Sequence, residues 1–147
     1  MNSPRFRAKL RTLSPSRGEA PPSEWTTRAL RARSCASLSE ATLMTTSPLL
    51  IRDAADRAAY ARVENEVRLI RYGGDCYAYC MLAAGLIDLV IETEIKPYDI
   101  VAVIPIVTGA GGIVTTWENG PAQAGGRIVV AGDERVHQAA LEMLAKP

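Results

Sequence analysis

One histidine, one phenylalanine and three cysteines are all that 147 residues contain of those types. The lone His137 accompanies no Ser-His-Asp set, no phosphate-loop motif and no metal-spaced His/Cys cluster. Three cysteines, an odd number without zinc-type spacing, fit a reducing cytoplasm better than a disulfide scaffold. No apolar run reaches the roughly 18 residues of a membrane span. Asp99, Pro105 and several glycines interrupt the richest one, so a soluble protein without a membrane partner is expected. Excess charge is also missing. The formal net charge is +1 and the basic residues gather at the N-terminus, which gives no general reason to expect nucleic-acid binding.

What is present suits one domain: hydrophobic residues make up 48% and charged residues 22%. Residues 1–24 mix Arg, Ser and Pro without periodicity and read as a disordered basic arm. A half-exposed strand is expected over residues 26–33, with Leu30 and Ala32 inward, then a turn over 34–40 and a short strand over 41–46. Pro48 opens an amphipathic helix over 49–67, with Arg52, Asp53, Arg57, Arg62 and Glu64 in water. Leu69 and Ile70 form a short strand leading to Gly73-Gly74. Asp75 starts a second helix, apolar and therefore buried, which Gly85 stops near residue 84. A β-branched strand occupies 87–92. Pro97 opens a third helix over 98–108, buried nearly all round, in which Pro105 must kink the chain or sit where its missing N–H is tolerated. Strands at 113–117 and 127–131 flank a turn, and Asp133 caps a last helix to Leu144. Alternating strands and helices make the class α/β.

Function concentrates in residues 71–112, where three carboxylates stand at element ends. Asp99 lies in the first turn of its helix, where the dipole favours a carboxylate; it reads as a cap or, facing a cleft, as a metal ligand. Glu92 ends a strand, and open α/β sheets bind ligands beyond the carboxyl ends of their strands. Asp75 follows Gly73-Gly74 and is either the N-cap of its helix or an acceptor aimed at a ligand. Cys76 and Cys80, one turn apart, read as small buried hydrophobes. His137 reads as a solvated surface residue.

These residues resemble the inositol monophosphatase superfamily. Its C-terminal signature, an aromatic-Asp pair opening an apolar helix that ends in Ala-Gly-Gly, is matched by Tyr98-Asp99-Ile100-Val101 through Gly109-Ala110-Gly111-Gly112. Tyr98 stands where Trp is commonest. Gly74-Asp75 and Glu92 match the glycine-led turn that touches substrate and the strand-end acid before the signature Asp. Residues 37–48, SLSEATLMTTSP, are similar to the family's strand after its central hairpin. Within the superfamily, RYGGDCYAYCMLAAG and KPYDIVAVIPIV look most like bacterial histidinol-phosphatases.

The resemblance implies the C-terminal αβ layer of the inositol-monophosphatase-like fold, a central mixed sheet flanked by helices, over residues 25–147. It implies a Mg²⁺-dependent phosphomonoesterase acting on a small phosphorylated metabolite, with Asp99 as a metal ligand and Arg71, Gly74, Asp75 and Glu92 as substrate-binding residues; no residue is assigned a direct catalytic role. Asp75 stands where polyol phosphatases commonly put Ser or Thr, and an anion there suits the ammonium or imidazole of histidinol phosphate. The family's Glu-Glu pair and Asp-Pro-x-Asp-Gly-Thr motif, which supply most metal ligands, are not found in this sequence. One carboxylate holds Mg²⁺ poorly, so a truncated chain of impaired or no activity alone is expected. A non-catalytic binding or structural fragment, or an inositol- or nucleotide-phosphate phosphatase, are the alternatives. Association as a homodimer, or through an exposed apolar face, is expected.

Overall fold

β-Branched and aliphatic runs set the strands, and alternation within each run decides which layer each side chain joins. The computed structural model describes residues 9–12 and 26–146. In chain order the elements are β1 (Lys9–Thr12), β2 (Thr26–Ala29), β3 (Thr42–Thr45), α1 (Ala54–Glu64), β4 (Leu69–Tyr72), α2 (Cys76–Ala83), β5 (Leu89–Ile95), α3 (Pro97–Ile100), α4 (Ile104–Gly109), β6 (Ile113–Thr116), β7 (Gly126–Ala131) and α5 (Glu134–Leu144). β1 and β2 form an antiparallel ribbon. Of the arm expected over residues 1–24, residues 9–12 thus form a strand, and the rest lies outside the described residues.

The other five strands make one mixed sheet in the order β4-β3-β5-β7-β6. β3 runs parallel to β4 and β5, while β7 is antiparallel to β5 and β6. Period-two alternation sends Leu89, Ile91, Val129 and Ala131 to one face, where they pack with Tyr60 and Val63 of α1 and Val136, Ala140 and Leu144 of α5. Val90, Ile128 and Val130 go to the other face and meet Ala78, Tyr79 and Leu82 of α2 with Val103 and Val107 around α4. The result is three layers, helices on both faces of a mixed sheet, as expected for the α/β class. Among the described residues, no helix is long and apolar enough to cross a membrane.

Local chemistry moves several boundaries. The first helix begins at Ala54 because Asp53, expected on the charged face, is its cap and accepts from Ala55 N at 2.9 Å and Asp56 N at 3.0 Å. Pro48 instead opens a single 3-10 turn, Pro48–Leu50. The helix expected over 98–108 is two, with Pro105 in the first turn of α4, where its missing N–H is no loss. Nor is that segment buried all round, since Val101 is 47% exposed. Gly112 is needed where the chain turns into β6: a Cβ there would lie 2.7 Å from Val107 Cγ1 and 3.0 Å from the Ala131 carbonyl. α2 also departs from expectation. Cys76 is exposed and Cys80 half-buried, because the helix turns only its Ala78–Tyr79–Leu82 side to the sheet.

Two buried polar groups hold the layers. Asp88, 1% exposed, accepts from Arg33 Nε at 2.6 Å and Nη2, and from the Thr42 backbone N–H at 2.7 Å. His137, expected on the surface, is buried on the face that α5 shares through Ala140, Leu141 and Leu144, and its Nε2 pairs with Thr115 Oγ1 at 2.8 Å.

Each group generates a prediction. Asp88→Ala leaves the Thr42 amide unpaired in the core and the partly exposed Arg33 without its acceptor, so it should cost about 2 kcal/mol in urea unfolding. Burial holds the His137 pKa below its ordinary 6.5, partly opposed by the nearby Glu134 carboxylate. The unfolded chain therefore binds the proton first as pH falls. The stability is fully present above about 6.5 and is lost as pH drops through the folded value. Urea midpoints measured from pH 7.5 to pH 5 should fall, and more shallowly in His137→Gln.

Candidate active site

Beyond the C-terminal ends of the parallel strands β3 and β5 lies a cleft of about 440 Å³, lined by Thr46, Leu50, Arg52, Asp75, Cys76, Tyr79, Glu92, Thr93, Glu94, Ile95 and Asp99. Open α/β sheets place their ligand crevices at this edge. α2 enters it with Asp75 and Cys76, and α3 delivers Asp99. Sequence reasoning singled out five binding residues, and the fold brings three of them, Asp75, Glu92 and Asp99, to this one cleft. Gly74 adjoins it at the turn before α2, with φ +98° and open only to a residue without a Cβ, which would meet Met44 Cε at 3.0 Å. Arg71 does not line it; it is exposed on β4 and donates to the Ile70 carbonyl at 3.1 Å.

The three carboxylates differ physically. Glu92 is buried, and both its oxygens are engaged: Oε1 accepts from Thr46 N at 2.6 Å and Thr46 Oγ1 at 2.8 Å, and Oε2 from Thr45 Oγ1 at 3.2 Å. Burial raises its pKa, the threonine bonds oppose the rise, and the Asp75 charge adds to it. Asp99 is exposed at the start of α3 and accepts from the Lys96 backbone N–H at 3.0 Å, so it is the helix cap that elementary chemistry suggests and also part of the cleft wall. Asp75 occupies the N-cap position of α2 but makes no capping bond, and holds φ +40° and ψ −129°, a conformation L residues rarely adopt. Its exposed carboxylate is free to meet a ligand, and strain of this kind gathers at functional sites.

Four carboxylates face one guanidinium in this cleft, because Glu94 adds a fourth and Arg52 reaches it only loosely, at 3.9 Å. The wall favours cations. Yet among the described residues no three His, Cys, Asp or Glu side chains converge closely enough to hold a metal ion, so these residues do not by themselves compose a magnesium site.

Sequence reasoning missed Thr46, Arg52, Tyr79, Thr93 and Glu94. Thr46 was legible in the Thr-Thr-Ser-Pro run that ends β3. Glu94 was legible from its two-residue spacing to Glu92, whereas Thr93 was not, because a regular strand sends neighbours to opposite faces.

A sequence model of the inositol monophosphatase family matches residues 15–146. The chain is 46% identical over 121 residues to a bifunctional phosphatase, IMPL2, chloroplastic, of Arabidopsis thaliana, a match covering 76% of this chain and 35% of that protein. It is 43% identical over 44 residues to a histidinol-phosphatase of Chlorobaculum parvum, covering 30% of this chain and 17% of that protein. Its fold matches a solved inositol monophosphatase from Zymomonas mobilis with a TM-score of 0.78 and 36% identity, over 84% of this chain and 49% of that one. The chain thus spans about a third of the first of these curated relatives and half of that solved structure. The matched span takes in the whole five-stranded sheet and every residue lining the cleft, and the chain belongs to the inositol monophosphatase family.

Proposed function

We propose that this chain is the substrate-reading part of a phosphomonoesterase that releases inorganic phosphate from histidinol phosphate, with Asp75 receiving the substrate's ammonium group. The observation that carries this reading is the free carboxylate of Asp75, strained and unbonded at the head of α2 in a cleft of excess negative charge. An ammonium there gains a charge-assisted hydrogen bond, and the neighbouring Glu92 and Glu94 add to the attraction. Similarity to a histidinol-phosphatase over 44 residues supports the same substrate. The free cysteines support a reducing, cytoplasmic setting.

The family generally depends on metal, usually Mg²⁺, whose chemistry when bound is to polarise the phosphate and activate a water. The described residues do not hold it alone, so we assign only Asp99 as a ligand and place the remaining carboxylates on a further stretch of polypeptide. What this chain's own residues do is bind and orient. Asp75 anchors the ammonium. Glu92 locks Thr45 and Thr46 at the end of β3, which fixes the floor of the cleft. A second reading, an inositol phosphate as substrate, is favoured by the match to the Zymomonas mobilis enzyme's fold.

Phosphate release from histidinol phosphate should appear when this chain is combined with the complementary half of a relative, and Asp99→Asn should abolish it. No release would sink the enzymatic reading. Asp75→Ser in the same assay should cut kcat/KM for histidinol phosphate by tenfold or more relative to inositol phosphate; an unchanged ratio favours the second reading.

We propose further that the chain associates through the exposed apolar side chains Leu49, Tyr77, Tyr98 and Val101. Sedimentation should then show dimers or larger species, and a monodisperse monomer would contradict it.

A further inference from the structure

The four carboxylates of the cleft are not equally available to a ligand. Glu92 is buried and engages both oxygens with Thr45 and Thr46. Asp99 accepts from the Lys96 amide and is the assigned metal ligand. Asp75 takes the ammonium on the proposed reading. Glu94 is left over. Its side chain is 51% exposed, and among the described residues it accepts no hydrogen bond, since the Arg52 guanidinium stands 3.9 Å away, too far for one.

The backbone fixes Glu94 in this state. Between the pairs Glu92–Ile128 and Ile95–Gly126, two residues of β5 oppose one of β7, a bulge in which Glu94 takes φ +56°. Gly125 seats the bulge, since a Cβ there would lie 2.1 Å from the Ile95 carbonyl oxygen. Bulges re-aim side chains beside active sites, and a left-handed backbone is a cost that glycine at 94 would avoid. The Arg52 side chain, by contrast, can swing. It is 76% exposed, while the backbone before it is pinned: Ile51 is buried and its carbonyl accepts from Arg57 Nε at 3.2 Å and Nη2 at 3.0 Å. An exposed ion pair this loose is weak and yields to a better-placed cation.

We infer that Glu94 is a specificity-determining residue that receives a second nitrogen group of the substrate, and that Arg52 is the cation this group displaces. In histidinol phosphate the group is the imidazole, whose N–H donates to the carboxylate in a charge-assisted bond and which carries positive charge once protonated. Leu50 and Ile95, which line the same cleft, offer apolar surface to the carbon edge of the ring. A polyol brings hydroxyls to Glu94 but no charge with which to displace Arg52. The inference rests on the histidinol phosphate reading and extends it, with the ammonium at Asp75 and the ring nitrogen at Glu94.

The test is calorimetry on the full chain at about pH 6, where a free imidazole is largely protonated. L-Histidinol is the probe, and alaninol, which keeps the amine and drops the ring, is the control. Glu94→Gln should weaken histidinol binding about tenfold and alaninol binding no more than about twofold, the part due to the lost field. Glu94→Gly, which relieves the positive φ, should show the same selective loss with a ligand-free melting temperature at or above that of the wild type. Arg52→Gln should tighten histidinol binding about threefold, and that gain should vanish when Glu94 is also Gln. Wild-type histidinol affinity in both Glu94 variants, or equal loss of both ligands, overturns the assignment while alaninol binding by the wild type leaves the ammonium site standing. An Arg52→Gln gain that persists without the Glu94 carboxylate overturns the exchange. A wild-type chain that binds neither ligand overturns the histidinol phosphate reading, and this inference with it.

Discussion

The rest of the structure depends on the carboxylate of Asp88. It is buried at the start of β5, and it ties together three segments far apart in sequence: the Arg33 guanidinium before β3, the Thr42 amide at the head of β3, and its own strand. Its backbone extends the set, donating to the Thr42 carbonyl at 3.1 Å and accepting from Gly132 N at 3.0 Å. A charge in such a place is tolerated only when paired and fully hydrogen-bonded, which leaves the chain little choice of register where β3, β5 and β7 meet. The opposite end of β5 carries the other buried carboxylate, Glu92. Its partners are threonine hydroxyls and an amide, all neutral. Asp88 is neutralised by a cation of the fold, whereas Glu92 has no cation, and its pKa is raised chiefly by its burial, with the Asp75 charge adding to it. One strand thus has a structural end and a binding end, distinguished by what each acid is paired with.

The bulge between these ends turns a strand into a wall. Regular pairing would have given the cleft two residues of β5; with the irregular stretch after Glu92, four line it. The geometry is supported from the other side, where Gly125 lies against Ile95 and Arg127, opposite the bulge, is held by Asp56 at 2.7 Å, by Glu118 and over the Trp117 ring at 5.5 Å. Rigidity outside the cleft keeps an unusual backbone inside it.

Much of this was legible in the sequence. The layer order followed from alternation of strands and helices, and Asp75, Glu92 and Asp99 were singled out because chain ends of elements are where a sheet offers its crevice. Three features escaped. Burial of His137 was hidden by its charged neighbours Glu134 and Arg135, although its spacing to Ala140, Leu141 and Leu144 marks the inner face of a helix. The exposure of Cys76 depends on how far α2 overhangs the sheet, which composition does not encode. Thr93 depends on a register shift against a strand more than thirty residues later, a long-range event with no local signature beyond the glycines at 125 and 126.

Electrostatics then constrain what the cleft can accept. Asp75, Glu92, Glu94 and Asp99 with a single Arg52 generate a negative field that repels a bare phosphate dianion, so on the proposed reading a phosphate meets this wall only through a cation such as the one assigned to Asp99. The same field draws in any cation. On the proposed reading, a substrate carrying a phosphate at one end and an ammonium at the other is oriented by this field, its cationic end drawn to Asp75. Positive charge for that anionic end must come from outside these residues.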